Sequence, residues 1–91
     1  MPLVKLVLPR VLAVPGLGKE IVVEASTLKD VIDALISIKP EFSSKLLDSS
    51  GRLRGIFSVY VNGRNAELLN GLETRLREGD EITIIPSVAG G

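Results

Sequence analysis

One apolar stripe constrains this chain more than any other feature. Leu28, Val31, Ile32, Leu35 and Ile36 recur at i, i+3, i+4, i+7 and i+8, the spacing of a core-facing α-helix. Thr27 precedes the stripe and Asp30 follows three residues later. Thr27 can accept from the orphan amides of the first turn, and Asp30 suits the positive helix end. Pro40 marks the end. No second stripe of this length exists, so the remaining apolar residues must meet this helix from strands.

The strands read from branched apolar runs. Leu3 to Leu8 is such a run, stopped at Pro9, and Lys19 to Glu24 is a second. A loop from Ala13 to Gly18 with a Pro-Gly turn signal separates them, which predicts a hairpin. After the helix, Glu41 to Leu47 suits a short helical turn that buries Phe42, Leu46 and Leu47, and Asp48 to Gly51 a loop. Ile56 to Val61 is the third strand, ended by Asn62-Gly63, a strong hairpin-turn dipeptide. Arg64 to Leu76 reads as one short strand with a turn at Asn70-Gly71. Glu78-Gly79-Asp80 is another turn, and Glu81 to Ile85 the final strand. The expected architecture is α+β: a mixed sheet of four to five strands with one main helix across one face. Residues 1–86 form the domain and 87–91 a C-terminal tail.

Composition narrows the chemistry. The 91 residues include no Cys, His or Trp, and eleven basic residues balance eleven acidic ones. A chain of this length makes one domain of roughly 12 Å radius with a small core. Disulfides, zinc fingers, thiol nucleophiles, Ser-His dyads and His-ligated metals are excluded, and no metal site is expected. Zero net charge argues against a nucleic-acid partner. No apolar run reaches the ~18 residues of a membrane span, and no signal peptide is visible, so a soluble, cytoplasmic protein is expected.

Three local features have plain structural readings. Gly16-Leu17-Gly18-Lys19 hints at a phosphate loop, but that motif needs Gly where Ala13 stands and Ser or Thr where Glu20 stands, so a hairpin loop is preferred. Arg52 and Arg54, with Arg64 nearby in sequence, suit a solvated surface. Tyr60 has no base beside it and suits packing or an interface. If Val4, Leu6, Leu8, Phe57, Val59, Val61, Ile82 and Ile84 face the helix, alternation sends Val7, Tyr60 and Ile85 to the opposite face. Adjacent, they would form a partner surface; scattered, they need no explanation.

The tail is the remaining feature. Two glycines in the last two positions arise by chance in roughly one chain in 200 at average usage. Ser87, Val88, Ala89, Gly90 and Gly91 are uncharged and can extend roughly 17 Å, beyond the expected radius of the body. A thread without Cβ at its tip can enter a narrow channel in another enzyme. Its α-carboxylate is ionised at neutral pH and a poor acyl electrophile, so it must be activated before it transfers anything. Adenylation by an ATP-using partner and then a sulfur donor would make it a thiocarboxylate.

These residues resemble a known family. Val59-Tyr60-Val61-Asn62-Gly63-Arg64, Gly71-Leu72-Glu73-Thr74, and Glu78 through Pro86 to Val88-Ala89-Gly90-Gly91 are similar to the MoaD/ThiS sulfur carriers, ubiquitin-like β-grasp proteins. Within that family the likeness is greatest to the MoaD branch, the small subunits of molybdopterin synthase. The resemblance implies that Gly91 is adenylated by a ubiquitin-activating-type adenylyltransferase and becomes a C-terminal thiocarboxylate. The tail, Ser87 to Gly90, would enter a molybdopterin synthase large subunit and deliver sulfur to a pterin precursor. It further implies a non-catalytic subunit with no bound cofactor, ATP being used by the activating partner.

The segment from Asp48 to Gly55 resembles longer family members. Those include ubiquitin-like protein modifiers, which would be conjugated through Gly91 to target lysines. They also include carriers serving cysteine synthesis or transfer-RNA thiolation; the shorter thiamine-pathway carriers fit the length less well. A third reading is a β-grasp interaction domain with an inert tail.

Overall fold

The computed structural model describes residues 1–12, 16 and 18–86. Five strands form one sheet: β1 (Leu3–Val7), β2 (Glu20–Glu24), β3 (Phe57–Val61), β4 (Arg64–Asn65) and β5 (Glu81–Pro86), in the order β2-β1-β5-β3-β4. β1 pairs antiparallel with β2 and parallel with β5, while β3 is antiparallel to both β5 and β4. The mixed sheet expected from sequence is therefore present, with the last strand at its centre.

Helix α1 (Leu28–Ile38) lies across one face and buries Leu28, Val31, Ile32 and Leu35. Its stripe meets Val4, Leu6, Val59, Val61, Ile82 and Ile84 from alternate strand positions, all buried. The start of α1 is a reciprocal cap. Thr27 Oγ1 accepts from the Asp30 amide at 3.3 Å, and the Asp30 carboxylate accepts from the amides of Thr27 (3.1 Å) and Ser26 (3.0 Å). Asp30 thus does more than the dipole role expected of it. α2 (Phe42–Leu46) is the short helical turn read from sequence, with Phe42 and Leu46 buried and Leu47 only partly so.

The ambiguous stretch after β3 resolves into β4 and two 3₁₀ turns, Ala66–Leu68 and Gly71–Glu73. The Asn62-Gly63 turn has φ of 51° and 85°, the left-handed conformations that a two-residue hairpin demands. The strand ends differ from the expected ones by a residue: β1 stops at Val7 although Leu8 stays buried, β2 starts at Glu20 and β3 at Phe57.

Candidate functional site

The end of β5 defines the site. Phe57 stands opposite Pro86, the last register pair between β3 and β5, and the residues read from sequence as a tail follow it. Ser87, Val88, Ala89, Gly90 and Gly91, which carry the proposed chemistry, lie outside the described residues.

Register places the expected surface residues beside this strand end. Val7 pairs with Thr83, and Thr83 with Tyr60, so one row crosses the face turned away from α1 as Glu20, Val7, Thr83, Tyr60 and Asn65. Ile85 is two residues further along β5, opposite Ser58, and 42% exposed; Val7 and Tyr60 are half-buried. The three residues share a face at one end of the sheet, with the Thr83 hydroxyl interrupting them. Sequence alternation alone could not reveal Thr83 as their common neighbour, because that depends on the strand order.

The same face also carries charge. Lys5 lies 3.9 Å from Glu20 and 4.0 Å from Glu81, with all three side chains exposed. Exposed apolar side chains are interleaved with these ion pairs, Leu3 and Val22 toward the β2 edge and Ile85 beside the tail root. Ile56, half exposed, precedes Phe57 at the tail-root end.

The other sequence candidates have structural roles. Gly18 and Lys19 lead into strand β2 rather than a helix, and Leu8 N–H donates to Lys19 O at 2.9 Å, closing the β1–β2 hairpin; residues 13–15 and 17 lie outside the described set. A phosphate loop would open a helix. Arg54 Nη1 donates to Ser44 O at 3.0 Å, tying the loop before β3 to α2. The Arg52 amide donates to the Asp48 carboxylate at 3.1 Å, and that of Ser50 at 2.8 Å. These two amides, Arg52 first, hold the Asp48 pKa below its ordinary value. Arg64 sits apart on β4 at the sheet edge. An open cleft of about 580 Å³ lies between Pro40, Ser43, Asp48 and Arg54. Among the described residues no group of three or more Asp or Glu could hold a metal, and no helix is long and apolar enough to cross a membrane.

The ThiS family profile matches residues 13–91, most of the chain including the whole tail. The chain belongs to the ThiS/MoaD family of sulfur carriers. It is 43% identical over 72 residues to a candidate sulfur carrier protein of Archaeoglobus fulgidus, covering 79% of this chain and 82% of that one. It is 37% identical over 78 residues to the sulfur carrier protein CysO of Mycobacterium tuberculosis, covering 84% of each.

Solved structures of the ubiquitin-like β-grasp fold superpose along the whole length. The small archaeal modifier protein 1 of Methanosarcina acetivorans matches with a TM-score of 0.86 at 30% identity, over 100% of this chain and 98% of that one. Subunit 1 of the molybdopterin-converting factor has the same fold: the Helicobacter pylori complex of its two subunits gives 0.58 at 24% identity, over 98% and 99% of the chains.

Proposed function

We propose that the chain carries sulfur as a thiocarboxylate on Gly91. The observation behind this reading is the placement of the tail. Its root is fixed on the central strand, with Pro86 opposite Phe57 and exposed Ile85 before it, while the residues that follow are uncharged and end in two glycines. In the first step the Gly91 carboxylate attacks the α-phosphorus of ATP and pyrophosphate leaves, giving an acyl adenylate. Hydrosulfide then attacks the acyl carbon, the bond to the AMP oxygen breaks, and the thiocarboxylate remains as AMP leaves. The catalytic groups belong to the adenylyltransferase, and Val7, Tyr60 and Ile85 form the surface on which that enzyme and the sulfur acceptor alternate.

For the acceptor, the CysO likeness supports delivery of sulfur for cysteine synthesis ahead of molybdopterin formation. CysO relatives reach 37% identity, whereas the molybdopterin-converting subunits share the fold alone. The test loads the chain with sulfur using its activating enzyme and ATP, then offers it to a cysteine synthase with an activated serine or to a molybdopterin synthase large subunit with its pterin precursor. Loss of sulfur from the intact protein only in the first mixture is the expected result, and loss only in the second restores the molybdopterin reading.

A second reading, conjugation of Gly91 to target lysines, is favoured by the full-length match to a small archaeal modifier protein. The first activation step is common to both. Immunoblots of the cells that make this protein, grown under several conditions, distinguish them: a ladder of high-mass conjugates supports the modifier.

A further inference from the structure

The chain contains two Asn-Gly dipeptides, Asn62-Gly63 and Asn70-Gly71, and the fold treats them differently. In such a pair the glycine, having no Cβ, lets its backbone nitrogen approach the preceding side-chain amide carbon. Whether it does so depends on how that amide is held.

Asn62 is held at both ends. Its Oδ1 accepts from the Glu81 amide at 2.9 Å, and its Nδ2 donates to Asp80 Oδ1 at 2.9 Å. Its own backbone N–H donates to Glu81 O at 2.8 Å. The side-chain amide is thus turned toward the start of β5. A carboxylate made at Asn62 would also lose the donor to Asp80 and face a like charge.

Asn70 is tied only through its backbone. Its N–H donates to Thr74 Oγ1 at 3.1 Å and its carbonyl accepts from the Glu73 amide at 3.0 Å. The residue is exposed, and its side chain makes no capping bond to the 3₁₀ turn that follows. Gly71 is uncrowded: a Cβ built there would meet nothing within 4 Å.

We propose that Asn70 is a site of spontaneous deamidation and isoaspartate formation in the folded protein, and that the Asn62 clasp suppresses the same reaction at the first dipeptide. The Gly71 nitrogen gives its proton to solvent base and attacks Cγ of Asn70. The N–Cγ bond forms, the Cγ–Nδ2 bond breaks, and Nδ2 leaves as ammonia after taking up a proton. One water then opens the succinimide. Opening at Cγ gives aspartate, and opening at the α-carbonyl gives isoaspartate with the chain rerouted through the side chain. Nothing is oxidised or reduced, and water is the only reactant consumed.

The site has a structural consequence. Thr74 is the buried polar residue of this corner; its hydroxyl accepts from Asn70 N–H and donates to Gly71 O at 2.7 Å, and its carbonyl accepts from Leu28 N–H at 3.2 Å. A methylene inserted between residues 70 and 71 moves both bonds of that hydroxyl. Through Leu28 the change reaches the first turn of α1.

Trypsin separates the two sites, because residues 55–64 and 65–75 lie between consecutive arginines. The folded full-length protein is incubated at mildly alkaline pH, and both peptides are followed by mass and by enzymatic isoaspartate methylation. The 65–75 peptide is expected to react first, with 55–64 slower by roughly tenfold or more, the suppression that two net hydrogen bonds supply. In denaturant the two rates converge. Asp80→Ala raises the 55–64 rate and leaves 65–75 unchanged, with folding checked by circular dichroism. Should that variant unfold, Asp80→Asn, which keeps an acceptor, preserves the suppression. Equal rates in the folded protein overturn the proposal. So does a 65–75 peptide that stays unmodified, or one that still reacts in Asn70→Gln and so reports Asn65.

Discussion

Phe57 stands opposite Pro86, and no later residue of β5 has a partner in β3. Strand β5 thus ends at a fixed point beside Ile85, and the last five residues follow from it. Removing Gly91, or adding one residue after it, is expected to abolish thiocarboxylate formation while leaving the thermal melt unchanged. Intact mass after incubation with the activating enzyme, ATP and a sulfur source reads the first effect. A truncated chain that still gains sulfur would remove Gly91 from the chemistry.

The outer face offers a separate handle. Tyr60→Asp and Ile85→Asp place a charge near the tail root without touching the buried side chains opposite. Affinity for the activating enzyme should fall by about tenfold or more for each, since desolvating a new carboxylate at a contact outweighs 1.4 kcal/mol. Glu24→Gln on edge strand β2, pointing the same way, serves as control. Calorimetric titration showing equal loss for all three would deny the patch a special role.

Thr27→Ala removes one half of the α1 cap and should cost about 0.5–2 kcal/mol in chemical denaturation. Asp30→Ala removes the acceptor of two amides and should cost at least as much. Because each residue bonds the other, the double variant is expected to lose less than the sum. Additive losses would mean that the two bonds act independently.

Leu6 and Ile82 face each other across the parallel β1–β5 pair, and both are fully buried against α1. Leu6→Ala or Ile82→Ala should each cost about 2–5 kcal/mol, the range for a buried large-to-small change. Urea unfolding measures it, and a loss under 1 kcal/mol would mean the core collapses around the gap.

Asp48 titrates low because the amides of Arg52 and Ser50 donate to its charged form. A depressed folded pKa contributes stability that is present above the unfolded value of about 3.9 and is lost as pH falls through the folded value. The carboxyl is exposed, so the effect on global unfolding should be small and the local one clear. Carboxyl-carbon NMR should place its midpoint below the ordinary value of about 3.9, and Asp48→Ala should release the Ser50 and Arg52 amides to faster exchange. A midpoint at the ordinary value would contradict the bonded loop.

The parts of this fold that sequence revealed are those with a period or a local code. The α1 stripe, the alternation in β1, β3 and β5, and the Asn62-Gly63 turn all depend on residues within a few positions of each other. What it concealed is long-range. That Thr83 separates Val7 from Tyr60, and that Phe57 meets Pro86, follows only once β5 is inserted between β1 and β3. The turns Ala66–Leu68 and Gly71–Glu73 are too short to show periodicity. The terminal glycines were legible because the role proposed for them needs nothing from the fold except a place to start.

The central position of β5 also has a mechanical meaning. A partner that grips the chain beyond Pro86 and pulls along the strand loads the β1 and β3 ladders in shear, so their hydrogen bonds bear the force together rather than opening in turn. Had the last strand been at the edge, a single ladder would have borne the same pull. If the proposed thread is held in turn by partner enzymes, the two ladders protect the domain against being unravelled by them.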